Sequence, residues 1–450
     1  MTAKPRLTAM LRLTGTFRRG WLVVLGSLLG LIAVLLAATP ASAHAVLVRT
    51  NPTQGSVVDQ PPAQVVLTFS ESVRAVPGKV RVIAPDGSRA DSDAASTSGN
   101  QLIIGMRPDG GPGTYLVTFR VLSADSHPVA GTFTYSVGAP STPPSADAAV
   151  AEASGFVTAA LPVTRWVGYV GLLLVVGAVL VLGLLWPRRL DRRGPARVLW
   201  LGVVLAGVAT VAELLLQVPY VAGGGLGAID AAGLREVLAT QFGAAHVIRL
   251  GVLAAAVLLL RPISQGRGWG ADRVLLAVLG AIAVATWSVS GHPSGSSVPM
   301  VSIVADMIHL SAMSVWVGGL VMLVAFLLVQ ANGPELAAIV PVWSRWATYA
   351  VGALVVTGLV QAVVNVGTPG ALVSTTYGWR LIIKVGLVAA VLVVALLTRR
   401  LVGPVTGQAD GAARRLRILV GVEALVAAAV LATTSVLVQT TPARTAAAEA

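Results

Sequence analysis

The feature that most constrains this chain is the recurrence, beyond residue 160, of apolar segments about 20 residues long, the length a helix needs to cross a hydrocarbon layer. They fall at residues 163–186, 197–219, 243–261, 272–290, 301–329, 343–365, 379–398 and 415–437 and predict an all-α polytopic bundle of eight transmembrane helices. Lipid offers the backbone no hydrogen-bond partner, so segments of this kind must satisfy their N–H and C=O groups internally, as helices do. Of the 450 residues, 55% are hydrophobic and 11% charged, whereas about a quarter of an average soluble chain is charged. The net charge of +13 would suit nucleic acid, but the basic residues are spread between the apolar segments. Membrane topology explains that spread, and no nucleic-acid partner is expected.

Arg188, Arg189, Arg192, Arg193 and Arg197 follow the first segment, Arg261, Arg267 and Arg273 the third, and Arg399, Arg400, Arg414, Arg415 and Arg417 the seventh. These loops alternate with base-poor stretches at 220–242, 291–300 and 366–378. The positive-inside rule turns the basic loops toward the cytoplasm and the others outward. The stretch 330–342 is the weakest case, with only Arg345 nearby to support the cytoplasmic side. At the N-terminus, Arg12, Arg18 and Arg19 precede an apolar run over 21–38, and Ala41-Ser-Ala43 ends it with the small-x-small pattern of a cleavage site. Residues 1–43 therefore read as a signal peptide, an uncleaved anchor helix being the other reading. Cleavage would make His44 the first residue. The expected location is the cytoplasmic (inner) membrane, multi-pass, with the N-terminal domain extracytoplasmic and the lipid bilayer as a partner.

Residues 44–138 differ in kind. Alternating or β-branched runs at Gln64–Phe69, 79–83, 101–104, 114–121 and 131–137 are separated by turn signals at Pro85-Asp-Gly87 and Asp109-Gly-Gly-Pro-Gly113. They predict an all-β domain, a Greek-key sandwich or barrel. An Ala-, Pro- and Ser-rich stretch over 139–160 reads as a flexible linker, the membrane domain as 161–438 and residues 439–450 as a tail.

The chain has no cysteine, which excludes disulfides, zinc-thiolate sites and iron–sulfur clusters and leaves His, Met, carboxylate and backbone groups as metal ligands. An N-terminal His44 offers its α-amine and imidazole together. Asp125 and His127, two apart, would face the same way along an extended segment. Three nitrogens and one carboxylate oxygen suit Cu(II). Spacing alone fits a solvated turn before Pro128 as well.

The segments His44-Ala-Val-Leu-Val-Arg-Thr-Asn-Pro52, Val66-Leu-Thr-Phe-Ser-Glu71 and the run from Gly113 through Asp125-Ser-His127 to Phe133 resemble the CopC family of periplasmic copper-binding β-sandwich proteins. The resemblance implies Cu(II) held by His44, Asp125 and His127. Some CopC relatives also carry a methionine-rich Cu(I) site; Met106 is the one methionine of residues 44–138, so no such site is expected here.

Within the fifth apolar segment, Asp306, His309, Met313 and Trp316 share one helical stripe, and ionisable groups in a membrane usually face a cavity or a partner. His292 lies in the short loop just before that segment. A hydrogen bond between Asp306 and His309 of the same helix is the plainer alternative. Glu213, Gln217, His246, Arg249, Arg380 and Lys384 fall at similar depth and suggest one polar chamber, while Gly318 and Gly319 suggest close helix approach. Ser290-Gly-His292, Asp306-Met-Ile-His309 with Trp316-Val-Gly-Gly-Leu320, and Thr376-Tyr-Gly-Trp-Arg-Leu-Ile-Ile-Lys384 resemble the CopD family of copper-resistance and copper-uptake membrane proteins. His246 lies outside that pattern and carries less weight.

A fused CopC–CopD chain implies copper transport or copper resistance. Import through His292, Asp306, His309 and Met313 is the expected function, with sequestration outside the membrane as the alternative. No nucleotide-binding loop is present, no enzymatic step is expected, and an extracytoplasmic copper chaperone is a further expected partner.

Overall fold

A computed structural model describes residues 45–402, except 93, 125, 146–151, 268–269 and 297, and, nearer the C-terminus, residues 426, 429–438, 440 and 442–446. The signal peptide, His44 and Asp125 lie outside the described residues.

Two sheets form the N-terminal domain. One has the order β1 (Leu47–Asn51), β3 (Gln64–Phe69), β7 (Gln101–Gly105), β6 (Ser96–Ser98). The other has the order β2 (Val57–Val58), β9 (Pro128–Val137), β8 (Gly113–Leu122), β4 (Arg74–Ala75), with β5 (Arg81–Ile83) also paired to β8. The alternation in Gln64–Phe69 turns Val65, Leu67 and Phe69 inward, where they meet Ile104, Val117, Phe119 and Tyr135 in the domain's own core. Gly87, at φ +83°, makes the turn after β5, and the Asp86 carboxylate accepts hydrogen bonds from Ser88 that hold its pKa below the ordinary value.

Six of the described helices are long and apolar enough to cross a membrane: α1 (Gly155–Leu185), α2 (Arg193–Ala222), α4 (Gln241–Ser264), α5 (Gly270–Val289), α6 (Pro299–Gln330) and α7 (Gly333–Val366). A short α3 (Ala231–Leu238) precedes α4, and α8 (Pro369–Ser374) leads into α9 (Thr376–Val402), which contains the seventh predicted segment. The eighth segment, 415–437, lies largely outside the described residues, so the expected number of eight stands at six among those described.

The helices overrun their hydropathic segments because caps, not lipophilicity, end them. Ser154 caps α1 and Thr240 caps α4, while Asn332 and Glu335 form a reciprocal capping box on α7. The α1 cap puts the helix start at Gly155, inside the stretch expected to be linker. Just before it, Ser154 N–H donates to the Gly224 carbonyl and Gly224 N–H to that of Glu152, so the end of the linker is tied to the α2 terminus.

Close approach of backbones sets the helix packing. A Cβ placed on Gly177 would lie 2.1 Å from the Gly318 carbonyl carbon, and one on Gly319 would lie 2.2 Å from the Trp343 ring, in line with the expected use of Gly318 and Gly319. Helix α6 is interrupted by two π turns, Ser314–Gly318 and Leu323–Leu327, the first of which presents Gly318 to α1.

The two ends of the bundle differ. At one end Arg192 donates to the carbonyls of Leu182 and Ile263, and Arg189 forms a two-pronged ion pair with Glu335 at 2.7 and 2.5 Å. That pair puts the 330–342 connection on the arginine-rich side, where Arg345 alone had pointed. The β domain sits at the opposite end.

Candidate functional site

The loop that carries the predicted ligand His127 takes part in the contact between the domains. Ser123 and His127 bracket a tight turn: Ser126 N–H donates to the Ser123 carbonyl, Ser123 N–H to the His127 carbonyl, and His127 N–H to Ser123 Oγ. Among the described residues, Ser126 is the one non-glycine with positive φ, at 68°. Ser126 therefore departs from the extended backbone on which the alternation argument relied, while Asp125 lies outside the described residues. The sequence does carry a signal for the turn. Ser123-Ala-Asp125-Ser-His127, just before Pro128, has no apolar alternation and is rich in residues that hydrogen-bond their own backbone, which favours a turn over a strand.

This left-handed turn aims its backbone at the bundle. Ser126 O accepts from Gln217 Nε2 of α2 at 2.9 Å, and the His127 ring meets Tyr220 edge to face at 6.2 Å between centroids. Arg120 of β8 donates to the Tyr220 carbonyl at 3.2 Å, and Val76 and Leu122 pack on Val221. Burial lowers the Arg120 pKa from its ordinary value, with Tyr220 and Glu152 acting in the opposite sense. His127 is buried. Among the described residues, no three His, Asp or Glu side chains gather as a metal cluster; His127 is the one member of the predicted triad that is described.

One turn below Gln217, Glu213 belongs to a buried network. Its Oε2 lies 2.8 Å from His246 Nε2 and 3.7 Å from an Arg249 guanidinium nitrogen. Arg249 is held by Thr286 Oγ1 at 2.9 Å, by Ser290 Oγ at 3.4 Å and by the face of Trp287 at 3.7 Å. His246, discounted on sequence, is thus central to the polar interior. Its carboxylate partner lies on another helix, and only the packing of α4 on α2 reveals it.

Glu213 also lines a cavity shared with Arg165, Asp306, His309, Met313 and Lys384. Asp306 and His309 do not pair with each other. The Asp306 carboxylate accepts from Ser288 Oγ at 2.7 Å and Gln361 Nε2 at 3.0 Å. His309 Nδ1 meets Thr357 Oγ1 at 2.9 Å, and that hydroxyl donates to the Ala353 carbonyl at 2.7 Å. With the Thr357 hydrogen on the Ala353 carbonyl, Thr357 accepts from His309 Nδ1–H, the tautomer in which the Nε2 lone pair is open. His309 and Met313 extend into a second, more apolar cavity with Trp316. Of the other methionines in this region, Met300 is exposed, Met307 packs at the bundle core and Met322 is buried within it. His292 opens the short turn His292–Gly295 before α6, at the end of the bundle nearer the β domain, and its neighbours Gly291 and Pro293 line the polar cavity. Arg380 stands apart from that cavity and bonds Thr440.

Fold and site together describe a multi-pass membrane domain with a polar interior and a small β sandwich seated on one of its mouths. Family models give the class its name. A CopC domain matches residues 47–138, the N-terminal domain of copper resistance protein D-like proteins matches 156–298, and copper resistance protein D matches 337–437. The chain thus carries a CopC domain and CopD-type domains in one polypeptide.

Among its relatives is the copper transport protein CutJ of Bacillus subtilis, 28% identical over 436 residues that span 92% of this chain and 77% of the relative. Copper resistance protein C of Xanthomonas campestris pv. juglandis is 31% identical over 118 residues, 24% of this chain and 90% of the relative. Similar solved structures include CopC from Methylosinus trichosporium, 26% identical, covering 22% of this chain and 95% of that one at a TM-score of 0.20. PcoC, a methionine-rich copper resistance protein from Escherichia coli, is 27% identical and covers 21% and 98% at a TM-score of 0.18.

Proposed function

We propose that this chain imports copper: the β domain collects Cu(II) outside the cytoplasmic membrane through His44, Asp125 and His127 and delivers copper to a route through His292, Asp306, His309 and Met313. The observation that carries this reading is the docking of the turn between Ser123 and His127 on α2 through Gln217 and Tyr220, directly above the polar cavity. A domain that only stored copper would gain nothing from seating its ligand loop on the mouth of a membrane chamber. The free lone pair of His309 and the Met313 thioether offer soft donors inside, where cysteine is lacking. The orientation is supported by the arginine-rich connections at the end away from the β domain. Tethering raises the effective concentration of copper at the mouth. No step of this scheme is enzymatic.

Copper accumulation in cells with and without the gene tests the proposal. Deletion should lower cellular copper, and His309→Ala should reproduce the deletion at normal protein abundance. Unchanged accumulation combined with lost copper tolerance would instead favour sequestration.

A further inference from the structure

Glu213 and His246 lie off the route just described, yet their hydrogen bonds fix a proton count. His246 Nδ1 is 2.8 Å from the Phe242 carbonyl oxygen, and Nε2 is 2.8 Å from Glu213 Oε2. A carbonyl only accepts, so Nδ1 carries a hydrogen. A carboxylate likewise only accepts, so the second contact needs a proton of its own. That proton sits either on Nε2, giving an imidazolium beside a carboxylate, or on Glu213, giving a carboxylic acid that donates to Nε2. In both arrangements the pair holds one proton more than a neutral imidazole beside a carboxylate.

The surroundings make this proton consequential. His246 is 0% and Glu213 3% exposed. The second carboxyl oxygen, Glu213 Oε1, has no hydrogen-bond partner among the described residues, although the side chain lines the cavity shared with Asp306 and His309. The groups facing the pair are Arg165 and Tyr169 on α1, Arg249 on α4, and, across the cavity, Asp306 and His309 on α6 and Lys384 on α9. With the pair protonated, and so neutral overall, the basic side chains Arg165, Arg249 and Lys384 stand against the single carboxylate Asp306. A metal cation added to that inventory meets strong repulsion at low dielectric.

We propose that the Glu213–His246 pair is a proton-exchange site: a copper cation arriving in the cavity displaces the shared proton, so that copper movement is coupled to proton movement in the opposite direction. The proposal rests on the reading that copper crosses the bundle. The exchanged ion is Cu(I), so the Cu(II) collected outside first takes one electron from an external reductant of the ascorbate class; one Cu(I) ion in and one proton out then leave the charge of the cavity unchanged, and no bond other than the one holding that proton breaks.

The test uses the purified full-length chain in lipid vesicles, with infrared difference spectra recorded across a pH titration and Cu(I) supplied with ascorbate. The wild-type chain should show a proton step of a carboxyl or imidazole group that Glu213→Gln lacks. The amide of that variant still donates to Nε2, so the fold is retained while the extra proton is not. Cu(I) should remove the same proton, and the proton release measured in weakly buffered medium should fall by about one per chain in Glu213→Gln. His246→Gln should lose the step too, as a second variant. Identical titration and proton release in wild type and Glu213→Gln would overturn the proposal, as would a wild-type step that copper leaves in place while copper still crosses. Vesicles that take up no copper at all, with the proton step intact, would bring down the transport reading and the coupling with it.

Discussion

Docking of the β domain on the bundle is open to a direct energetic test. The double variant Gln217→Ala, Tyr220→Ala removes the amide donor to Ser126 and the ring that meets His127 edge to face. A neutral hydrogen bond contributes about 1 kcal/mol and an edge-to-face ring contact about as much. The loss of about 2 kcal/mol corresponds to roughly a 30-fold fall in the ratio of docked to undocked domain. Arg120 still reaches the backbone carbonyl of residue 220, and Val76 and Leu122 still meet Val221, so docking should weaken without vanishing. Because the chain has no cysteine, spin labels at Asp59→Cys and Glu236→Cys, both exposed positions, would report without background. The parent should give one narrow distance distribution and the double variant a broad one. Copper accumulation should fall with it, while Cu(II) affinity measured on the β domain stays the same. A narrow distribution in the double variant would refute the energetic reasoning, and a broad one with normal copper accumulation would detach docking from function.

Three other outcomes are expected. Gly177→Ala should lower the yield and melting temperature of the folded chain, because the new Cβ would lie 2.1 Å from the Gly318 backbone, whereas Gly183→Ala, which meets nothing within 4 Å, should not. One residue added before His44 should weaken Cu(II) binding by orders of magnitude, and His127→Ala should shift the Cu(II) electron paramagnetic resonance spectrum; unchanged affinity and spectrum would remove these ligands. Thr357→Val should cut copper uptake about 10-fold at normal abundance by releasing the His309 tautomer, and uptake equal to wild type would show that the Thr357 contact does not prepare His309.

The strands were legible because one buried face imposes alternation: Gln64–Phe69 appears with the bounds read from sequence. The paired residues of β2 and β4 were not, since two residues carry no period. Hydropathy located the six described spans but missed their true ends, which depend on caps such as Asn332 and Ser154 that lie beyond the apolar run. The polar chamber was foreseen from residues at common depth, and Glu213, Asp306, His309 and Lys384 do share a cavity. Their partners were not foreseen. Asp306 bonds Ser288 and Gln361, and His309 bonds Thr357, each on another helix, and single-helix spacing says nothing about a neighbouring helix. For the same reason nothing in the sequence joined Ser126 to Gln217, 91 positions away.

The two π turns of α6 have a mechanical consequence. A π turn holds more residues per turn than an α helix, as slack wound into the backbone. If the turn at Ser314–Gly318 tightened to α geometry, the part of the helix before it would swivel by roughly 100° relative to Gly318, which is wedged against α1. Asp306, His309 and Met313 all lie on that part. The bonds of Asp306 to Ser288 and Gln361 and of His309 to Thr357 resist that swivel, and the Gly318 contact with α1 fixes the point about which it would turn.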